Sequence, residues 1–166
     1  MKSILTLLVL LCTVSAFAQP ASSPEARQFD FWVGEWDVFT RADGKLAGHN
    51  RIELAHGGRV LIENYSTPRQ FSGTSINAYD AATRRWHQCW MDNGGGVLDI
   101  YGSIVDGNMV MTGETMMANG AKQLERITWF PSPDGTIRQH WEQSTDGGKT
   151  WTTAFDGIYR RRSPAA

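Results

Sequence analysis

Cysteine is scarce in this chain of 166 residues, and the two cysteines present, Cys12 and Cys89, restrict how the fold can be stabilised. Cys12 lies in an N-terminal segment that we predict is cleaved off, which leaves Cys89 without an intramolecular partner. The residue before Cys12 is the bulky Leu11, where lipid attachment would require a small side chain. We therefore predict neither a disulfide nor a lipid anchor, and a fold that depends on buried apolar surface.

An excess of basic residues is also lacking. The formal net charge is −1 at pH 7, from 16 lysines and arginines and 17 aspartates and glutamates. Removal of Lys2 with the predicted leader leaves 15 basic residues (16 minus one) and a net charge of −2. Proteins that bind nucleic acids present a basic face, so we expect no nucleic acid partner.

Motifs that carry metal or nucleophilic chemistry are missing. The zinc-ligand spacings H-x-x-x-H and C-x-x-C do not occur, nor does the nucleophile motif G-x-S-x-G. No two of the histidines have ligand spacing; they are His49, His56, His87 and His140. We predict no catalytic residues, no metal site and no cofactor. Two alternatives remain open, namely acid–base catalysis by Glu114 with Tyr101 and a haem held by one histidine.

The N-terminal segment has the three parts of a secretory signal peptide. Lys2 supplies positive charge, an apolar run extends from Ile4 to Leu11, and Ala16-Phe17-Ala18 forms an A-x-A cleavage site. The apolar run is too short for a permanent transmembrane helix. We predict a signal peptide at 1–18, a single domain at 19–166 and a bacterial protein that is periplasmic or secreted. No stable membrane insertion is expected after cleavage.

One short helix and ten strands are predicted from the rest of the pattern. Ser22, Pro24 and Glu25 indicate a helix start, and the helix should end before Gly34. Runs rich in β-branched and aromatic residues then alternate with turn residues such as Asp106-Gly107. The predicted strands cover 35–42, 45–54, 58–66, 72–80, 84–92, 96–104, 108–116, 122–130, 136–144 and 151–161. Short connections make neighbouring strands antiparallel, so we predict an all-β, up-and-down barrel, with a two-layer sandwich as the second choice.

The decapeptide FDFWVGEWDV marks the start of this barrel. Alternation in the first strand points Trp36 inward, and Gly34 lets the chain bend from helix to strand without a Cβ in the way. This G-x-W motif resembles the one on the first strand of lipocalins and other calycins. The resemblance implies that an arginine of the last strand covers the indole. Arg160 is our first candidate because it shares a strand face with Ile158, and Arg161 is the alternative.

A wider resemblance covers nearly the whole predicted mature chain. It is carried by FDFWVGEWDV, Asn50-Arg51-Ile52-Glu53, Glu63-Asn64-Tyr65, Asn77-x-Tyr79-Asp80, Trp86-x-Gln88-x-Trp90, Arg126-Ile127-Thr128-Trp129 and the closing FDGIYRR. These motifs resemble a family of exported bacterial proteins grouped as domain of unknown function 1579. A more distant similarity is to nitrobindin, a ten-stranded barrel that holds haem. The family resemblance implies a calycin-like barrel and adds no catalytic residues.

A single Asp-box pattern, S-x-D-x-G-x-T-W, occurs near the C-terminus, where Ser144 to Trp151 read STDGGKTW. The pattern is familiar from sialidases and other propellers, in which it recurs several times. Its aspartate bonds to backbone donors in a turn, its glycine takes a positive φ and its tryptophan packs beneath. We predict that it forms the turn between the ninth and tenth strands.

Tryptophan and methionine are abundant, with seven and six residues respectively. A barrel of this size can be filled by its own side chains or can hold one small ligand, and aromatic and thioether groups suit a ligand cavity. The predicted ligand-binding residues are Trp36, Ile62, Trp90, Met111, Trp129 and Trp141. We therefore expect a non-enzymatic protein that binds a small hydrophobic or amphipathic molecule. A filled core, an isomerase or hydrolase using the cavity, and a haem-binding barrel are the alternatives.

Overall fold

The computed structural model describes residues 23–162, which form a closed antiparallel barrel of ten strands. The strands are β1 (Gly34–Thr40), β2 (Leu46–Ala55), β3 (Val60–Ser66), β4 (Ser72–Asp80), β5 (Arg85–Asp92), β6 (Val97–Val105), β7 (Asn108–Met116), β8 (Lys122–Pro131), β9 (Ile137–Ser144) and β10 (Thr152–Arg161). Each strand pairs with the next along the chain, and β1 pairs with β10 to close the barrel. The predicted fold class is confirmed. The predicted signal peptide at 1–18 lies outside the described residues.

Tight turns produce this up-and-down order. Between β6 and β7, Asp106 and Gly107 both have a positive φ, of 49° and 79°. Two consecutive positive φ angles form the hairpin turn whose twist matches that of the strands it joins. A turn of two residues leaves no length for a crossover, so strands adjacent in sequence become adjacent in space. The observed strands overlap all ten predicted ones.

The N-terminal segment closes one end of the barrel. It forms two 3₁₀ turns, Pro24–Arg27 and Asp30–Trp32, where the sequence predicted one short helix. The first turn begins after Ser23, whose side chain makes no capping hydrogen bond. Burial holds the segment instead, because Phe29 and Trp32 are fully buried and stack with their ring centroids 4.9 Å apart. Within residues 23–162, no helix is long and apolar enough to cross a membrane.

The G-x-W motif seals the same end. Trp36 is buried, and its Nε1 donates a hydrogen bond to the carbonyl of Trp32 at 2.8 Å. The guanidinium of Arg161 lies 4.0 Å from the centroid of the Trp36 ring and donates to the carbonyl of Val33 at 2.7 Å. Gly34 has φ 139°, and a Cβ there would lie 1.8 Å from Nη1 of Arg161. Glycine is therefore required both for the backbone angle and to leave room for this arginine.

The arginine over the indole is Arg161, so the prediction of Arg160 is wrong. Arg160 lies on the outer face, where its guanidinium is 4.8 Å from the centroid of the Phe39 ring. The prediction assumed that Ile158 faces the interior. Tyr159 faces the interior instead, with 2% of its surface exposed, and alternation places Arg161 on the same face.

The barrel interior changes from apolar to polar along its axis. The closed end holds the large buried side chains Phe29, Trp32, Trp36, Ile52, Leu61, Trp86, Met109 and Trp129. On strands β2 to β5 the next inward positions toward the other end are polar and buried; they are Asn50, Glu63, Ser75, Asn77 and Gln88. Beyond this polar layer the interior opens into a cavity. The apolar core thus fills one end of the barrel, and the cavity lies at the other end.

The Asp box forms the turn between β9 and β10, as predicted. Asp146 Oδ1 accepts hydrogen bonds from the backbone N–H groups of Lys149 and Thr150, both at 2.9 Å. The Trp151 indole donates to the carbonyl of Gly148 at 3.1 Å, beneath the turn. Hydrogen bonds hold the pKa of Asp146 well below its usual range, and the bond from the Thr150 hydroxyl has the largest effect. The motif therefore has a structural role at the open end of the barrel.

Candidate functional site

A cavity of about 370 Å³ lies inside the open end of the barrel. Aromatic and aliphatic side chains form most of its wall, and polar groups form its base on the side of the buried core. The wall contains Trp90, Leu98, Ile127, Trp141 and Phe155; the base contains Glu63, Gln88, Gln139 and Tyr159; Tyr65, Thr67, Phe71, Asp92 and Ala154 complete the lining. The cavity is therefore amphipathic, with its apolar part nearer the open end.

Glu63 is the most unusual residue of this cavity. Its side chain belongs to β3 and faces the interior, and only 5% of the residue's surface is exposed. Oε1 accepts a hydrogen bond from Asn50 Nδ2 and Oε2 accepts one from the Ser75 hydroxyl, both at 2.6 Å. Burial raises the pKa of Glu63 to about 7, and the hydrogen bonds from Ser75 and Asn50 limit the rise. Near neutral pH this carboxyl can therefore exist in either protonation state.

A chain of hydrogen bonds runs through the polar layer toward Glu63. Gln88 Nε2 donates to Asn77 Oδ1 at 2.7 Å, and Asn77 Nδ2 donates to the Ser75 hydroxyl oxygen at 2.8 Å. The Ser75 hydroxyl then donates to Glu63. Every bond in the chain points the same way, so Glu63 is its terminal acceptor. Such an arrangement stabilises a carboxylate more than a protonated carboxyl.

Tyr159 joins Glu63 at the base of the cavity. Its hydroxyl donates to Gln139 Oε1 and accepts from Asn50 Nδ2 at 3.2 Å. Burial, together with the nearby charge of Glu63, raises the pKa of Tyr159 well above its usual value. Burial and the same charge raise the pKa of Tyr65 to about 12. Both phenols therefore stay neutral at physiological pH and act as hydrogen-bonding groups.

The charge inside the cavity has one sign. Glu63 and Asp92 are the acidic residues of the lining, and none of the described lining residues is lysine, arginine or histidine. Asp92 Oδ2 accepts a hydrogen bond from Trp90 Nε1 at 3.1 Å. The pKa of Asp92 is lowered, because hydrogen bonds from Gly96, Trp90 and Gly94 outweigh the opposing effect of its burial. The cavity is thus electronegative at neutral pH.

A second buried glutamate, which faces the barrel interior, is bonded to a residue of the cavity wall. Glu125, on β8, has 1% of its surface exposed, and its Oε2 accepts a hydrogen bond from Trp141 Nε1 at 2.6 Å. Its Oε1 accepts from the Thr115 hydroxyl at 2.6 Å and from Gln123 Nε2 at 2.9 Å. These bonds fix the indole of Trp141, so its ring presents a fixed face to the cavity.

The structure divides the predicted ligand-binding residues into three groups. Trp90 and Trp141 line the cavity. Trp36, Met111 and Trp129 are buried in the core and do not line it. Ile62 lies on the outer face of β3, because its neighbours Leu61 and Glu63 are the residues that face inward. The prediction for Ile62 is therefore wrong.

Sequence reasoning missed Glu63 because it assumed that an isoleucine faces inward and a glutamate outward. In β3 the opposite orientation holds, since the interior at this level is polar. A signal for the polar layer is present in Trp86-x-Gln88-x-Trp90, where a glutamine occupies the same strand face as two tryptophans. A polar residue in phase with large aromatic ones indicates a polar group inside the barrel.

The alternative catalytic pair lies on the outer surface. Glu114 forms an ion pair with Lys122 at 2.7 Å, and its side chain is 52% exposed. Tyr101 is 40% exposed and stacks on His87 with ring centroids 4.3 Å apart. Neither residue lines the cavity. The prediction that Glu114 or Tyr101 could act inside the barrel is therefore wrong.

The histidines are also absent from the cavity. His49 pairs with Asp37 at 2.6 Å, and His87 pairs with Asp99 at 2.8 Å. None of His49, His56, His87 and His140 lines the cavity. Within residues 23–162, no group of three or more histidine, cysteine or acidic side chains is placed to hold a metal ion. A haem inside the barrel would therefore have no imidazole ligand from the described part of the chain.

A larger depression, of about 720 Å³, lies mainly on the outer face of strands β2 to β5. Its lining includes His49, Arg51, Asn64, Thr74 and Met91. It is more open to solvent than the barrel cavity, and polar residues of its lining bond to one another, as the Thr74 hydroxyl does by donating to Asn64 Oδ1 at 3.2 Å. We therefore assign the candidate site to the smaller, interior cavity.

No protein-family model matches this chain, and no curated protein matches it either. The interior cavity and its polar base are thus the features from which a function can be argued.

Proposed function

We propose that this chain is an exported, non-enzymatic protein that binds one small amphipathic molecule in the barrel cavity. The observation that carries the proposal is the cavity itself, with aromatic walls and a buried polar base that contains Glu63 and Tyr159. Export rests on the signal-peptide pattern at 1–18, and the resemblance to the family of domain of unknown function 1579 agrees with it. The molecule is expected to place its apolar part between the aromatic rings and its polar part against the base.

The size and chemistry of the cavity support this proposal. A volume of about 370 Å³ is within the range of sites that hold small molecules, and such sites combine apolar walls with a few polar groups. Two of those polar groups have unused hydrogen-bonding capacity. Within residues 23–162, Gln88 Oε1 and Gln139 Nε2 have no hydrogen-bond partner, and neither atom is sealed from solvent. A ligand that enters the cavity can therefore gain hydrogen bonds without breaking those of the protein.

A titration with N-phenyl-1-naphthylamine tests the proposal, because this uncharged fluorophore becomes brighter in apolar surroundings. We expect saturable binding at one site per chain. Ala154→Trp should abolish it, since Ala154 lines the cavity and a tryptophan there would fill it. The matched control is Ala81→Trp, which places the same ring in the exposed turn after β4. Absence of saturable binding, or equal binding by both variants, would refute the proposal.

Catalysis in the same cavity is a second candidate, and Glu63 is the residue that favours it. A buried carboxyl with a pKa of about 7 can take up or release a proton at neutral pH, as a general base requires. The test is to extract the molecule that co-purifies with the exported protein and to incubate it with the wild type and with Glu63→Gln. Product formed only by the wild type would support catalysis. Unchanged molecule in both samples would leave binding as the function.

A further inference from the structure

We infer that the ligand carries a positively charged nitrogen, such as a protonated amine, which pairs with the Glu63 carboxylate at the base of the cavity. This inference rests on the proposed function and specifies the class of ligand.

Glu63 has no counter-charge within the described chain. Its two hydrogen-bond donors, Asn50 and Ser75, are neutral, and no ion pair of residues 23–162 includes Glu63. Burial of an ionised carboxylate without a cation is unfavourable. A cationic ligand would supply the missing charge and would gain a stronger interaction there than in water.

The Glu63 carboxylate has acceptor positions that the protein does not fill. An ionised carboxylate has about four positions that can accept a hydrogen bond. The protein fills one position on Oε1, from Asn50, and one on Oε2, from Ser75. Glu63 also lines the cavity. An ammonium group has three donors and no acceptor, so it matches a site whose unused capacity is for accepting.

The lining of the cavity disfavours anionic ligands. Recognition of a carboxylate or phosphate depends on arginine, lysine or other donors aimed at the anion. None of the described lining residues is basic, and both acidic lining residues, Glu63 and Asp92, would repel an anion. The cavity therefore disfavours fatty acids and organic phosphates, although its apolar walls would accept their chains.

Aromatic rings form a large part of the cavity walls. Tyr65, Trp90, Trp141 and Phe155 all line the cavity. The face of an aromatic ring attracts a cation and also accepts an alkyl chain. One set of side chains can thus stabilise both the charged nitrogen, where it approaches a ring, and the hydrocarbon attached to it. Asp92 adds negative charge to the same cavity and would favour the entry of a cation.

Three compounds with the same chain and different heads test the inference: octylamine, octan-1-ol and octanoate. Binding is measured by isothermal titration calorimetry at pH 8, where Glu63 is ionised and the amine remains protonated. We expect the wild type to bind octylamine about tenfold to a hundredfold more tightly than octan-1-ol, the range expected for a charge-assisted hydrogen bond. Octanoate should bind most weakly. This comparison needs no variant.

Two variants and one control assign the preference to Glu63. Glu63→Gln keeps the shape and removes the charge, so octylamine and octan-1-ol should then bind about equally. Gln139→Lys places a cation at the base of the cavity, where it can pair with Glu63 in place of the ligand, so the preference for octylamine should be lost. The control is Glu114→Gln, which removes a carboxylate from the outer surface and should leave the preference for octylamine unchanged.

The outcomes separate this inference from the function on which it rests. If N-phenyl-1-naphthylamine binds but octylamine binds no better than octan-1-ol, the cationic ligand is refuted and the binding function stands. The same conclusion follows if Glu63→Gln keeps the full preference for the amine. If neither the fluorophore nor any of the three compounds binds, the proposed function itself is refuted, and the inference with it.

Discussion

The buried carboxyl of Glu63 should make the stability of this protein fall as the pH rises from about 4.5 to about 7. Burial places the pKa of Glu63 in the folded protein at about 7, against 4.5 for an ordinary glutamate. Below pH 4.5 the carboxyl is protonated in both the folded and the unfolded chain, and no penalty applies. Between the two values the unfolded chain releases the proton and the folded protein keeps it, so the free energy of unfolding decreases.

The size of this decrease follows from the difference between the two pKa values. The difference between about 7 and 4.5, at about 1.4 kcal/mol for each pH unit, corresponds to about 3 kcal/mol. The full decrease in the free energy of unfolding is reached above pH 7, and the decrease stays constant at higher pH. The other titratable side chains that line the cavity do not change state in this range, because Tyr65 and Tyr159 have raised pKa values and Asp92 has a lowered one.

Urea unfolding followed by tryptophan fluorescence measures the effect. The quantity of interest is the free energy of unfolding of the wild type minus that of Glu63→Gln, at pH values from 4.5 to 8. Glutamine does not titrate, so the subtraction cancels the contributions of other groups. We expect the difference to fall by about 3 kcal/mol across the range. Glu114→Gln, on the outer surface, should show no comparable trend. A difference that is constant or that rises with pH would refute the assignment of a raised pKa to Glu63.

Three further predictions concern the closed end, the Asp box and the ligand. Arg161→Ala should lower the free energy of unfolding by about 1 kcal/mol, because the Arg161 guanidinium lies on a buried indole. Arg160→Ala should lower it less. Urea unfolding that shows the reverse order would contradict the structure of the closed end. Asp146→Ala should lower the Tm more than Asp134→Ala does, because Asp146 accepts from two hydroxyls and two backbone N–H groups, whereas Asp134 accepts from one of each. Equal Tm values in a thermal melt would show that the turn does not depend on Asp146. Octylamine affinity should fall as the pH drops from 8 to 6, because Glu63 takes up a proton as the pH falls through about 7. Octan-1-ol affinity should stay constant over the same range. Calorimetry showing equal trends for both compounds would count against pairing of the amine with Glu63.

The architecture was predictable because it depends on local chemistry. Turn residues such as Asp106-Gly107 fix where strands end, and β-branched and aromatic runs fix where they lie. Short turns then leave antiparallel neighbours as the available arrangement, and ten such strands close on themselves. The glycine and indole of Gly34-Glu35-Trp36 were recognisable for a similar reason. A positive φ and a buried ring are requirements of single residues, which a sequence displays directly.

Which residues of a strand face the interior was less predictable, because a register shift anywhere along the strand changes the alternation. The register between β9 and β10 shifts between Thr153 and Phe155. A shift of this kind changes which residues face inward, so alternation cannot be extended through it from one end of a strand. In this protein Tyr159 and Arg161 face inward, whereas the sequence favoured Ile158 and Arg160.

The candidate site itself depended on contacts between distant parts of the chain. Asn50, Glu63 and Ser75 belong to three consecutive strands, and strand pairing brings their polar atoms to 2.6 Å. Barrel closure then brings the Tyr159 hydroxyl of β10 to 3.2 Å from Asn50. In the sequence, each of Asn50, Glu63 and Ser75 is an ordinary polar side chain of the kind usually found at the surface. The sequence alone determined ten antiparallel strands and favoured a barrel over a two-layer sandwich, since turns and strand propensities act locally. Only the tertiary structure decided that a carboxylate lies at the base of a cavity, because burial and the pKa that follows from it are properties of the surroundings that folding assembles.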